Sequence, residues 1–156
     1  MKFFSPTQGE MDFEQMFQEI VRFMEHAPDG RYRLIIGTDS QLRSDTTFVT
    51  AVIIHREGKG ARYFFSRERM RRMDSLRQRI LYEASLSLQL AARLAERLSR
   101  NGHADMNVEI HLDVGRSGET RELIREVVGM VAGSGFDAKI KPESYGASSV
   151  ADKHTK

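Results

Sequence analysis

Four carboxylates in this sequence occupy positions from which they could act together on a metal ion. Asp39 and Asp113 each follow a run of apolar residues, in IIGTDSQ and IHLDVG, and Glu83 lies in a long helical segment. Asp152 lies close to the end of the chain. Hard divalent cations bind clustered oxygen ligands, and sites that catalyse phosphoryl transfer use shared carboxylates to hold them. The pattern therefore predicts a site for Mg²⁺ or Mn²⁺.

Glu83 is the most informative of the four because it interrupts the apolar face of a predicted helix. Seven residues follow one another at three- and four-residue spacing: Leu76, Ile80, Glu83, Ser87, Leu90, Leu94 and Leu98. At about 100° per residue, Glu83 falls between Leu90 and Leu94 on the apolar side. A carboxylate there must be paired, hydrogen-bonded or bound to a metal, because an unpaired buried charge is costly. A structural salt bridge, or a glutamate at the margin of the face, would also explain it.

The residues beside the aspartates allow more than one interpretation. An aspartate after a strand is often only a turn former, although strand ends are also where α/β sheets present functional side chains. Ser40 and Gln41 could contact a substrate or could shape the turn. Lys153 and His154, next to Asp152, could contact a phosphate or assist proton transfer, or could be merely solvated. Only the combination of the four carboxylates predicts a metal site.

A basic segment precedes and enters the long predicted helix. Residues 59–79 contain eight basic and two acidic residues, for a net charge of +6. Arginine binds phosphate through bidentate contacts, so we expect a nucleic-acid backbone to lie here, with Arg71 and Arg72 in contact with it. The alternative is a solvated helix face with Glu68 and Asp74 as ion-pair partners.

Hydrophobic periodicity predicts the elements that would position these residues. Residues 12–26 carry apolar residues at helical spacing, so we expect an amphipathic helix with Asp12 as its N-cap. Three strands joined by short turns follow, at 33–40, 47–55 and 62–66. The later elements are helices at about 74–100 and 119–132, strands at 107–114 and 136–141, and a short helical turn at 150–156. His111 alternates onto the face of Asp113 and could support a site residue there, but we expect it to be a polar residue on the less buried face of the sheet.

The composition narrows the possible sites. The chain has 156 residues, 40% hydrophobic and 29% charged, which is the balance of a globular domain. It has no cysteine, so disulfides, thiolate zinc sites and cysteine nucleophiles are excluded. The 24 basic and 22 acidic residues nearly cancel, so net charge alone implies no nucleic-acid partner. No membrane span of ~20 apolar residues and no signal peptide is evident, so we expect a cytoplasmic protein.

Five segments together resemble one family of bacterial proteins. The chain is similar to the YkuK-like family of uncharacterised bacterial proteins, which is grouped with the ribonuclease H-like superfamily, over about residues 33–156. The segments are GTDSQ, FVTAVIIHREGKGARYF, SLRQRI, IHLDVGRSGETRELI and GFDAKIKPESYGASSVADKHTK. The resemblance implies one α/β domain, 1–156, with a five-stranded mixed sheet, three antiparallel strands first, flanked by helices. Residues 1–30 would form an N-terminal helical extension.

The superfamily resemblance also implies an activity and its residues. The activity would be hydrolysis of phosphodiester bonds that depends on Mg²⁺ or Mn²⁺. Asp39 would occupy the position of the superfamily's first-strand aspartate, and Glu83 that of its helix glutamate. Asp113 would fill the fourth-strand aspartate and Asp152 the position on the last helix. These four would be both catalytic residues and ligands in a two-metal mechanism. The chain departs from the pattern at its end, where only four residues follow Asp152.

Two classes of function stay open. The first is a metal-dependent nuclease or phosphodiesterase acting on RNA, DNA or a hybrid. The second is a non-catalytic module on a ribonuclease H-like scaffold that uses the basic segment to hold nucleic acid or a protein. Convergence of Asp39, Glu83 and Asp113 within metal-bridging reach, with room for ions and an open cleft, would favour the first, whereas Glu83 paired with an arginine in a closed core would contradict it. The sequence indicates no oligomeric state.

Overall fold

A mixed β-sheet with helices packed against it forms the framework of the molecule. The computed structural model describes residues 1–116, 118–141, 143–144, 150 and 154–155. Within those residues the elements are β1 (Phe3–Ser5), β2 (Gly9–Met11), α1 (Phe13–Glu25), β3 (Tyr32–Leu42), β4 (Thr46–Arg56), β5 (Gly60–Met70), α2 (Leu76–Arg100), β6 (Asn107–His111), α3 (Ile124–Gly133) and β7 (Asp137–Lys139). None of these helices is long and apolar enough to cross a membrane, a finding limited to the described residues.

The sheet order places β3 and β6 side by side. The strands run β2-β1-β5-β4-β3-β6-β7. β3 and β5 are each antiparallel to β4, whereas β6 is parallel to β3 and β7 is parallel to β6. β3 and β4 pair without interruption from Tyr32 opposite Arg56 to Leu42 opposite Thr46. The mixed α/β class and the three antiparallel strands expected from the sequence are therefore confirmed.

The prediction of a five-stranded sheet is wrong, because the described part of the chain forms a sheet of seven strands. The additional strands, β1 and β2, form a hairpin in which Phe3 lies opposite Met11. Phe4 joins this hairpin to β5, where it lies opposite Phe65. Phe3 and Met11 are buried in the core. Each strand has only three residues, which is too short for the alternation that indicates a strand.

Other predicted boundaries also shift. β5 continues to Met70, through residues assigned to the basic segment, because its backbone pairs with β4 as far as Thr46 opposite Met70. β6 ends at His111, and β7 covers only Asp137–Lys139. The basic segment therefore begins on a strand and not in a loop, so its side chains alternate between the two faces of the sheet.

The predicted helix α1 and its N-cap are confirmed. The Asp12 carboxylate accepts a hydrogen bond from the backbone N–H of Gln15 at 2.8 Å, and the Gln15 side chain accepts one from the Asp12 N–H at 2.8 Å. This reciprocal capping satisfies two amide groups that a helix start leaves without partners. The apolar side of α1 packs into the core through Phe13, Met16, Phe17, Ile20, Val21 and Met24.

Helix α2 lies across β3 and is hydrogen-bonded to it through buried hydroxyl groups. The helix begins after Ser75, whose hydroxyl accepts a hydrogen bond from the backbone N–H of Gln78 at 3.2 Å. The Thr38 hydroxyl on β3 lies 2.8 Å from the Ser87 hydroxyl on α2 and 3.0 Å from the Thr50 hydroxyl on β4. Because buried polar groups need hydrogen-bond partners, this series of hydrogen bonds explains how Ser87 is tolerated on an apolar face.

The opposite face of the sheet is covered in part by the end of the chain. Val150 packs against Ile35 and Val49, which alternate with the residues facing the helices. The ring of His154 stacks on Phe65, with ring centroids 3.7 Å apart. The end of the chain therefore contacts the sheet on the face away from α2.

Candidate metal centre

The register of the sheet brings Asp39 and Asp113 to the same level. β3 and β6 are parallel, and the last residues that pair between them are Gly37 and His111. Asp39 lies two residues beyond Gly37, and Asp113 lies two residues beyond His111. Because neighbouring strands lie about 4.8 Å apart, the two aspartates sit side by side just past the paired region.

Glu83 reaches these aspartates from α2. One carboxylate oxygen from each of Asp39, Glu83 and Asp113 lies within 4.8 Å of the other two. Glu83 is buried, with 6% of its surface exposed, and the aspartates are half-buried. We call these three residues the carboxylate cluster. Their convergence could hold a metal ion, and no arginine ion pair to Glu83 is found among the described residues.

The surroundings of Glu83 disfavour its charge. Burial raises the pKa of the Glu83 carboxyl well above its usual range, and the charges of Asp39 and Asp113 raise it further. Two groups oppose the rise in pKa: the Ser40 hydroxyl, which donates a hydrogen bond to Oε2 at 2.5 Å, and the charge of Arg79 one helical turn earlier. A cation among the three carboxylates would stabilise the ionised form of Glu83.

Lys141 is a residue of the site that the sequence analysis missed. Its ammonium nitrogen lies 2.8 Å from Oδ1 of Asp113. This hydrogen bond raises the pKa of Lys141, and the charges of Asp39 and Glu83 add to the effect. The backbone N–H of Lys141 donates to the carbonyl of Val114 at 2.9 Å, just past the pairing of β6 and β7. Lys141 is the last residue of the strand predicted at 136–141 and lies two residues past β7 in the structure, so nothing in the strand pattern marked it as a site residue.

The donor set of the cluster fits a hard divalent cation. All three side chains offer carboxylate oxygens, the ligands that Mg²⁺ and Mn²⁺ prefer, and the chain has no cysteine to favour a softer metal. Oxygens around one Mg²⁺ at about 2.1 Å lie at most about 4.2 Å apart. The spread of up to 4.8 Å between the carboxylate oxygens therefore needs only a small side-chain movement to bind one ion.

Two predicted site residues, Asp152 and Lys153, lie outside the residues that the structure describes. His154, which follows them, is described, and it is attached to β5. Its ring stacks on Phe65, and its carbonyl accepts a hydrogen bond from Nη2 of Arg67 at 2.7 Å. His154 is therefore not merely a solvated residue at the end of the chain.

The arginines predicted to contact a substrate have different surroundings. Nε of Arg72 donates to Oδ1 of Asp74 at 2.6 Å, and Nη1 of Arg72 donates to the carbonyl of Arg43. Arg72 therefore ties the turn between β3 and β4 to the segment before α2, which is the structural role considered for this basic segment. Arg71 is exposed, and Gln41 is half-buried on β3.

His111 is buried and not on a less buried face, so that expectation is wrong. His111 and Glu109 are 4% and 2% exposed. Glu109 accepts hydrogen bonds from Nη1 of Arg33 and Nδ2 of Asn107, both at 3.1 Å, and Nε2 of His111 lies 3.1 Å from it. Burial lowers the pKa of His111, against the effect of Glu109. The strand pattern alone does not reveal that Ser144, itself buried, interacts with His111 through its backbone.

Comparisons with known proteins agree with the architecture. A family model described as "Ribonuclease H-like" matches residues 15–156. The chain is 37% identical to "Uncharacterized protein YkuK" of Bacillus subtilis (strain 168), over 99% of this chain and 96% of that protein. No solved structure matches the chain. The family resemblance drawn from the sequence segments is therefore confirmed.

Proposed function

We propose that this chain, which belongs to the ribonuclease H-like family, is a metal-dependent nuclease that hydrolyses phosphodiester bonds in RNA, DNA or a hybrid. The observation that carries the proposal is the convergence of Asp39, Glu83 and Asp113 within 4.8 Å. A buried glutamate beside two aspartates destabilises a metal-free fold, and such perturbed groups concentrate at functional sites. The nuclease-type scaffold of the family supports the same function.

The carboxylate cluster would hold Mg²⁺ or Mn²⁺, with Asp152 proposed as a further ligand and catalytic residue. A bound ion supplies Lewis-acid stabilisation of phosphate charge and a water of lowered pKa. Ser40 orients the Glu83 carboxylate by donating a hydrogen bond to one of its oxygens. The Lys141 ammonium, held beside Asp113, provides a fixed positive charge where a substrate phosphate would approach.

The substrate would be positioned by polar and basic side chains around the cluster. Arg71 is exposed and can turn towards a phosphate, whereas Arg72 would have to exchange its contact with Asp74. Guanidinium groups suit this role because they bind phosphate oxygens in pairs. The residues proposed to contact substrate are Ser40, Gln41, Arg71, Arg72, Lys153 and His154.

A cleavage assay tests this function. Fluorescently labelled RNA, DNA and RNA–DNA hybrid of one sequence are incubated with the purified protein and Mn²⁺. We expect cleavage of at least one substrate, its loss in EDTA, and a fall of about a hundredfold or more in Asp39→Asn and Glu83→Gln. Asp105→Asn, which removes the same charge from an exposed position, serves as the control and should cleave normally.

Two results would overturn the nuclease proposal. The first is the absence of Mn²⁺-dependent cleavage of all three substrates by folded wild-type protein. The second is cleavage that persists in Asp39→Asn and Glu83→Gln, since a contaminating nuclease would then be responsible. Either result would leave the non-catalytic binding module as the function to pursue. Circular dichroism of each variant confirms that a loss of cleavage is not a loss of fold.

A further inference from the structure

A groove lies between α2, β5 and the N-terminal hairpin of β1 and β2. Its volume is about 970 Å³, at the upper end of the range for ligand sites. β4 contributes Phe48 and Thr50, and α2 contributes Tyr82, Leu86 and Leu90. Because β1 pairs with β5 only where Phe4 lies opposite Phe65, the hairpin leaves the adjoining part of β5 open to this space. We call this space the hairpin groove.

The charges around the hairpin groove are mostly positive. Among its described lining residues, Lys2, Arg67, Arg69 and Arg93 are basic and only Glu68 is acidic. Two of the basic side chains are already engaged, since Arg67 donates to the carbonyl of His154 and Arg93 lies over the Phe13 ring. Lys2 and Arg69 are each 71% exposed, and their ion-pair partners are surface carboxylates. Exposed ion pairs of this kind contribute little to stability, so these side chains can exchange their partners for the phosphates of a ligand.

Two residues that line the hairpin groove are neighbours of residues at the carboxylate cluster. Phe48 lies directly opposite Ser40 in the pairing of β3 and β4, and Ser40 donates its hydrogen bond to Glu83. Tyr82 precedes Glu83 on α2, and its ring packs edge-on against Phe48 with centroids 4.8 Å apart. The groove lining therefore neighbours Ser40 and Glu83 through Phe48 and Tyr82, although Asp39, Glu83 and Asp113 are not among its described lining residues.

We propose that the hairpin groove binds an unpaired nucleic-acid strand, with bases against Tyr82 and the apolar lining and phosphates along the basic side chains. Aromatic surfaces beside a positive groove are the general means of holding single strands. In a duplex the bases are stacked inside, so it could offer this surface only its phosphates. The inference rests on the proposed function, because it takes the strand to be the substrate of the carboxylate cluster.

A binding assay tests the inference without requiring cleavage. Fluorescence anisotropy in EDTA compares labelled oligo-dT and oligo-U of about 12 nucleotides with a duplex of equal length. We expect the unpaired strands to bind more tightly than the duplex, and the binding to weaken as salt is raised. Tighter binding of the duplex would overturn the proposal, as would displacement of the strand by polyglutamate at equal charge, which would indicate a protein partner.

Variants locate the binding in the hairpin groove. We expect the double variant Lys2→Gln, Arg69→Gln to raise the Kd for the unpaired strand by about tenfold, since both side chains are exposed lining residues of the groove. The matched control, Arg100→Gln with Arg125→Gln, removes two exposed arginines outside the groove and should change the Kd less than about threefold. Equal effects of the two double variants would overturn the proposal, since the binding would then follow net charge alone.

An uncharged change separates base stacking from electrostatics. Tyr82→Ala should weaken strand binding by about tenfold, whereas Tyr82→Phe should retain it. Because Tyr82 packs on Phe48, the melting temperature of each variant is measured, and a destabilised Tyr82→Ala leaves the double variants as the deciding test. Binding unchanged in a folded Tyr82→Ala would contradict the stacking.

The two proposals fail separately. If the groove variants weaken strand binding but the wild type cleaves nothing with Mn²⁺, the groove stands and the nuclease function fails. If the wild type cleaves with Mn²⁺ while the Lys2 and Arg69 changes alter neither binding nor cleavage, the function stands and the groove proposal fails.

Discussion

Glu83 places a carboxyl on the apolar face of α2, among residues that pack into the core. Burial raises its pKa, and the charges of Asp39 and Asp113 raise it further. The hydrogen bond from Ser40 offsets only part of this effect. At the scale of single residues, the metal-free site therefore lowers the stability of the fold, a common consequence of assembling a functional site.

Replacement of Glu83 by glutamine should stabilise the metal-free protein at neutral pH. A carboxyl with a raised pKa takes up a proton more readily in the folded state, so unfolding becomes easier as pH rises above its ordinary value of 4.5. Glutamine has no proton to lose. In EDTA we expect the Tm of Glu83→Gln to exceed that of wild type by roughly a few degrees at about pH 8. The difference in Tm between the two proteins should disappear at about pH 4, below the ordinary pKa of the carboxyl.

The control for this measurement is Glu96→Gln, which changes an exposed glutamate of the same helix and should leave the Tm nearly unchanged at both pH values. A Tm for Glu83→Gln below that of wild type in EDTA at neutral pH would contradict the account. It would mean that the ionised glutamate stabilises the metal-free core.

Lys141→Met should bind Mn²⁺ more tightly than wild type. The ammonium lies 2.8 Å from Asp113, so it competes with a cation for that carboxylate and repels it from the cluster. Removing one charge at this distance from a partly exposed site should tighten binding by about three- to tenfold. Titration calorimetry with Mn²⁺ measures the change, and Lys59→Met, in an exposed loop, is the control. Weaker binding would show that Lys141 supports the site.

At the scale of elements, α1 and α2 are joined by stacked and hydrogen-bonded arginines. Nη2 of Arg97 donates to Oε1 of Glu14 at 2.8 Å, and its guanidinium lies 4.4 Å from the centre of the Phe17 ring. Arg93 lies 3.7 Å from the centre of the Phe13 ring. The hydrogen bond from Arg97 lowers the pKa of Glu14 to about 2. The acidic helix α1 thus pairs with basic residues of α2.

The contact between Glu14 and Arg97 predicts a pH-dependent contribution to stability. A carboxyl with a lowered pKa stabilises the fold above its unfolded pKa, and this contribution is lost as pH falls from about 4.5 to about 2. Glu14→Gln should lower the Tm by about 1–3 °C at pH 7, with the difference from wild type closing near pH 2. Glu25→Gln, at an exposed position of α1, should show no such profile. A decrease in the Tm of Glu14→Gln that does not depend on pH would contradict this prediction.

Long periodic segments explain which elements were predictable. The helices α1 and α2 each span more than two turns, and the strands β3 and β4 each span more than ten residues. Their hydrophobic patterns are therefore unambiguous. β1 and β2 are too short to show a pattern, and β5 extends because β4 supplies partners for its backbone. The surroundings of His111 include the backbone of Ser144, a buried residue far along the sequence, so they could not be predicted from the strand pattern.

At the scale of the whole molecule, the topology gathers residues that lie far apart in the sequence. The parallel pairing of β3 and β6 sets Asp39 beside Asp113, and α2 crosses β3 so that Glu83 joins them. These three residues were predictable because strand ends, and a polar residue that interrupts an apolar helix face, can be recognised in the sequence alone. Lys141 was not, because its place depends on which strand β7 joins. The proposed function depends on a cation in that cluster.

Mn²⁺ binding to the purified protein tests that central claim most directly. Electron paramagnetic resonance of free Mn²⁺ during a titration gives the number of ions bound and their affinity. We predict binding to wild type that is lost in Asp39→Asn and in Asp113→Asn and retained in Asp105→Asn, an exposed control. Mn²⁺ that fails to bind the wild type, or that binds equally well without the two cluster aspartates, would contradict the account.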